Sequence, residues 1–105
     1  MKISNLDLVQ GNNIEIFELR LSYEHSQCNL TVKCFCKNNE VMIQCMNVSD
    51  LNIQNLSAPM QINGFEILSN KSRGWESRSN YTIHDFEGNR MEFFCEHVEI
   101  IKLTN

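Results

Sequence analysis

The chain has 105 residues, 42% of them apolar and 21% charged, which is the size and make-up of a single globular unit and excludes a disordered tail. A formal net charge of -4 argues against phosphate-backbone binding as the main activity, so a nucleic-acid partner is not expected. No apolar run approaches the length of a bilayer span and the first residues, Met1 to Asp7, build no secretory h-region, so no membrane association and a cytoplasmic address are expected.

In chain order, Leu6 to Val9 and Ile14 to Ile16 flank Gln10-Gly11-Asn12-Asn13, a turn composition that predicts a first hairpin. Phe17 to Glu24 alternates apolar and polar residues strictly, as a strand with one buried face does. Leu30 to Cys36 and Val41 to Cys45 surround Lys37-Asn38-Asn39-Glu40. Pairing Cys36 with Val41, Cys34 with Ile43 and Val32 with Cys45 makes one face continuously apolar. Further strands are predicted at 61–68, 80–86 and 91–103, and no segment carries capped helical periodicity.

An internal repeat organises these elements. Asn29-Leu-Thr-Val-Lys-Cys-Phe35 matches Asn80-Tyr-Thr-Ile-His-Asp-Phe86, and Val41-Met-Ile-Gln-Cys-Met-Asn-Val48 matches Met91-Glu-Phe-Phe-Cys-Glu-His-Val98. A shorter echo links Gly11 to Phe17 with Gly88 to Phe94. In both long copies the alternation slips between cysteine and valine, which predicts a β-bulge at the same place in each. The expected fold is all-β: residues 1–105 as one antiparallel sheet domain of about six to eight strands, a meander, half-barrel or sandwich of repeated, bulged hairpins. One position conflicts with this register. Asp85 aligns with Cys34 on the buried face, so it must find partners at the sheet rim or the register there must differ.

The five cysteines, Cys28, Cys34, Cys36, Cys45 and Cys95, are read as thiols in a reducing compartment. Cys34-Phe35-Cys36 lacks the knuckle of a zinc site, and cysteine is a common small core residue, so no metal is expected. His84 and Asp85 are adjacent and would face opposite ways on a strand, which excludes a simple dyad. No nucleophile paired with a base, Gly-rich phosphate loop or HExxH pattern occurs, and no catalytic residue or cofactor is assigned. A composite site from His84, His97, Asp85 and the thiols, or a ligand cavity, are the alternatives.

Two surfaces are candidates for protein binding. The segment 71–81 holds the lone tryptophan, Trp75, with Arg73 and Arg78, residue types enriched at binding hot spots. If Phe93 and Cys95 face the core, Glu92, Phe94 and Glu96 share the outer face, and Glu99 follows, an acidic stripe suited to a basic protein. Glu92, Phe94, Glu96, Glu99, Arg73, Trp75 and Arg78 are therefore the predicted partner-binding residues.

The strand entering Asn47-Val48-Ser49-Asp50-Leu51, the run Ile62-Asn63-Gly64-Phe65-Glu66-Ile67 and the ending Phe93-Phe94-Cys95-Glu96-His97-Val98-Glu99-Ile100 resemble immunity proteins encoded beside bacterial polymorphic or contact-delivered toxins. The Asn-rich, Gly- and Pro-poor composition fits a bacterial source with AT-rich coding. The resemblance implies a stoichiometric, cytosolic inhibitor of a toxin domain and transfers no functional residue.

Overall fold

The computed structural model describes residues 3–54, 56, 59–70 and 79–103. They form nine strands and no α-helix: β1 (Ile14–Glu24), β2 (Gln27–Cys36), β3 (Asn39–Met46), β4 (Ser49–Ile53), β5 (Met60–Ile62), β6 (Phe65–Ser69), β7 (Tyr81–Asp85), β8 (Met91–Cys95) and β9 (His97–Lys102). Two antiparallel sheets, ordered β5-β1-β2-β3-β9 and β4-β8-β7-β6, pack face to face without closing into a barrel. Arg73, Trp75 and Arg78 lie outside the described residues.

Alternation sets the core. Leu30, Val32, Cys34 and Cys36 of β2 and Val41, Ile43 and Cys45 of β3 are buried from the first sheet, and Phe65, Ile67, Ile83, Met91, Phe93 and Cys95 from the second. The β2-β3 register differs from the expected one by two residues: Cys36 opposes Asn39, Cys34 opposes Val41, and Val32 opposes Ile43. The cause is a tight two-residue turn, with Lys37 and Asn38 both left-handed at φ 50° and 68°. Because the displacement is even, every side chain keeps its face.

The predicted first hairpin does not form. Leu6–Leu8 is a short 3-10 helix entered through left-handed Asn5, with the Val9 N–H bonded to the Leu6 carbonyl, and β1 begins only at Ile14. The expected strand over 61–68 is two strands in different sheets, broken at Asn63 and Gly64. A Cβ at Gly64 would stand 2.9 Å from the exposed Phe86 ring, so a larger residue at this break would have to displace that ring.

The two copies of the repeat share one pairing register. Leu30↔Cys45, Val32↔Ile43 and Lys33↔Met42 in the first recur as Tyr81↔Cys95, Ile83↔Phe93 and His84↔Glu92 in the second. The equivalence extends upstream to β1 and β6, since Leu19↔Val32 and Glu18↔Lys33 correspond to Ile67↔Ile83 and Glu66↔His84. The echo between 11–17 and 88–94 has no such counterpart, because it matches β1 with β8.

The slip after each cysteine is a strand exchange rather than a bulge. After Met46 the chain leaves the first sheet, and β4 pairs with β8 of the second. After Cys95 it makes the reciprocal move, and β9 pairs with β3. Gln44↔Glu99 and Ser49↔Phe94 are the matching pairs of the two exchanges. Equivalent asparagines hold the crossovers: the Asn29 side-chain oxygen accepts the Asn47 N–H at 3.1 Å, and the Asn80 side-chain amide donates to the Glu96 carbonyl at 3.2 Å.

Candidate functional site

The exposed face of the second sheet gathers polar residues from all four strands. Asn52 opposes Glu92, Glu92 opposes His84, and His84 opposes Glu66, so one row crosses β4, β8, β7 and β6. The His84 Nε2 lies 2.7 Å from Glu66 Oε1. Beside this row runs a second, Ser49, Phe94, Thr82 and Leu68, which sets the half-buried Phe94 ring next to the acidic groups. None of β4, β6, β7 and β8 contains Lys or Arg, whereas Asp50, Glu66 and Glu92 are exposed or half-buried on them; the fourth carboxylate, Asp85, is buried on the core side.

The same row in the first sheet reads Glu18, Lys33, Met42, Ile101. There Lys33 lies 3.7 Å from Glu18, so its carboxylate is balanced by a permanent cation. In the second copy histidine replaces the lysine and Glu92 replaces the methionine, which makes the equivalent surface acidic. The two outer faces of one duplicated scaffold have therefore acquired different chemistry.

The predicted acidic stripe is divided by the strand exchange. Glu92 and Phe94 share the outer face of the second sheet. Glu99 sits on β9, opposite Gln44 of the first sheet, and so faces a different side of the molecule. Glu96 is at the crossover, where its Oε1 accepts from the Asn47 side-chain amide at 3.0 Å, its N–H donates to the Met46 carbonyl, and His97 Nε2 stands 3.6 Å from Oε2. Its position ties the two copies together.

Asp85 is buried and resolves the conflict seen in its alignment. Oδ1 accepts the N–H groups of Glu87 and Gly88 at 3.1 and 3.0 Å, and Oδ2 accepts that of Arg90 at 3.3 Å. A Cβ on Gly88 would approach Oδ2 to 2.8 Å, so glycine allows the turn to wrap the carboxylate. Asp85 is thus a structural cap at the sheet rim, facing away from His84.

Four of the five thiols, Cys34, Cys36, Cys45 and Cys95, are core groups, and Cys28 is half-buried. Burial pushes the Cys34 thiol up to about 12 from an ordinary 9.0, with Cys36 adding to the rise. Burial also raises Cys36, whose Sγ is 3.0 Å from the Leu8 carbonyl. Cys45 is held well above the usual range by its hydrogen bond with the Cys95 thiol and by burial. These are the opposite conditions from those that activate a cysteine. Among the described residues, no three His, Cys, Asp or Glu side chains gather as a metal site, and no helix is long and apolar enough to cross a membrane. No family model, curated protein or solved structure matches the chain.

Proposed function

We propose that the protein is a protein-binding inhibitor, most specifically a cytoplasmic bacterial immunity protein that neutralises a cognate toxin by forming a stoichiometric complex. The observation that carries this reading is the outer face of the second sheet, where Glu66, His84 and Glu92 form an acidic row with the Phe94 ring beside it. Charge of one sign steers a basic partner into encounter, and a half-buried ring supplies apolar area once water is displaced. A surface built on strands is also rigid, which suits recognition by shape. The partner fitting this face is a basic protein domain, and the resemblance of the chain to immunity proteins names the class.

The test is protection and direct binding. The chain, produced with the toxin domain encoded beside it, is expected to restore growth and to co-purify with that domain in a one-to-one complex. Charge reversal at Glu66 and Glu92 together should weaken the complex by about tenfold to a hundredfold at low salt and flatten its salt dependence, so that the difference from the original shrinks as salt rises. Failure to protect against the adjacent toxin, or affinity unchanged in the double reversal, would overturn the reading.

A further inference from the structure

The edges of the two sheets are treated unequally. At β6 the Gln10 side chain does the work of a neighbouring strand: its amide donates to the Ile67 carbonyl at 3.1 Å and its oxygen accepts the Ile67 N–H at 2.8 Å. Gly11 and Asn12 bond the Phe65 backbone on the same edge. At β9 the Asn5 amide occupies the Ile100 carbonyl. β4 is five residues long and bent by a left-handed Asp50 at φ 54°, with an irregular register beside it. Each device is a recognised way to blunt a strand edge.

The outer half of β1 carries no covering side chain or loop among the described residues; its one irregularity, between Ile16 and Glu18, falls at the inner end, and Glu18 to Glu24 runs in unbroken register with β2. β5 covers β1 only from Ile14 to Ile16, so Glu18 to Glu24 is hydrogen-bonded to β2 alone. This edge is long and apolar on one side. Leu21 and Tyr23 are 55% and 75% exposed, although their cross-strand neighbours Leu30 and Cys28 lie on the core-facing side of β2.

We propose that two copies of the chain join edge to edge through Glu18 to Glu24, in antiparallel register centred on Ser22, so that their five-stranded sheets become continuous. Antiparallel partners share a face, so a two-fold axis must pass through a residue position, and charge selects which one. Centred on Ser22, Arg20 of each copy opposes Glu24 of the other, and Leu21 opposes Tyr23. Centred on Leu21, Glu18 opposes Glu24 and two like-charge pairs result. Among the described residues Arg20 and Glu24 have no ion-pair partner within the chain, so both are available to a second copy. The inference is independent of the acidic face on the other sheet, which stays open in the dimer.

Sedimentation velocity of the full chain, loaded from about 1 µM to about 500 µM, reads the association directly. A concentration-dependent monomer–dimer equilibrium is expected. Arg20→Glu and Glu24→Arg should each weaken it about tenfold or more, and the double variant should return it to within about threefold of the original. Both residues are exposed, and circular dichroism checks that each variant folds. A monomer at every concentration, a dimer indifferent to both reversals, or a double variant that stays as weak as the singles would each overturn the pairing.

Discussion

Replacing Asp85 by alanine tests whether a buried carboxylate at a core position stabilises this fold or burdens it. Taken alone, burial of a charge is unfavourable, and a neutral side chain would then raise stability. The geometry says otherwise. Three N–H groups point at the carboxylate between 3.0 and 3.3 Å, and hydrogen bonds to a charged acceptor contribute about 1.5–3 kcal/mol each when donor and acceptor are both desolvated. Glu87 and Gly88 are themselves exposed, so water recovers part of that loss in the variant. A net destabilisation of about 3 kcal/mol follows, read as a lower midpoint in urea at constant slope. Asp85→Asn keeps one acceptor oxygen and should lose about half as much. Asp85→Cys, which restores the residue of the first copy, should behave like alanine, because the first copy closes its hairpin with two left-handed residues and has no long turn to cap. An alanine variant as stable as the original would refute the capping account.

The buried thiols and the strand exchange each have a measurable consequence. The Cys34 thiol, with its ordinary value of 9.0 raised to about 12, adds nothing to the pH dependence below pH 9, where folded and unfolded chains both hold the proton. Between pH 9 and 12 the unfolded chain releases it and the folded chain does not, so stability should fall by about 1.4 kcal/mol per pH unit from this group. That slope should flatten in Cys34→Val in alkaline denaturation. Cutting the gene between Gln54 and Pro59 separates the copies; each half alone should show no cooperative unfolding as a monomer, and mixing the halves should restore it. A half that folds as a stable monomer would contradict the exchange.

Much of the scaffold was legible because it rests on local patterns. The alternation in Leu30 to Cys36 and Val41 to Cys45 marked the strands and their buried face, and the repeat correctly related β2-β3 to β7-β8. The register error arose at Lys37, a residue whose identity gives no sign that it adopts positive φ. The slip between Cys45 and Val48 was visible, but a bulge and a change of sheet produce the same break in periodicity; only the identity of the neighbouring strand separates them. The same limit applied to the acidic surface. Glu92 and Phe94 followed from parity along β8, whereas Glu66 lies 18 residues before His84 in a strand that no repeat pointed to, so its contact with the histidine could not be read from spacing. The relation of β1 to β6 was equally silent, since their side chains share a role and little identity.

The strand exchange also explains why the copies could diverge on their outer faces while keeping their cores. Each sheet borrows its fourth meander position from the other copy: β9 completes β1-β2-β3, and β4 completes β6-β7-β8. Inward residues therefore answer to both copies at once, as Cys45 and Cys95 do where equivalent thiols meet, and a change there disturbs two sheets. Outward residues answer only to their own sheet. Lys33 and Met42 could become His84 and Glu92 with no compensating change in the core, because a row on an exposed sheet face interacts mainly with its cross-strand neighbours. A repeated framework of this kind separates two constraints physically: the shared interior fixes the shape, and the outer faces can differ in charge, acidic along the row of the second sheet and mixed along that of the first.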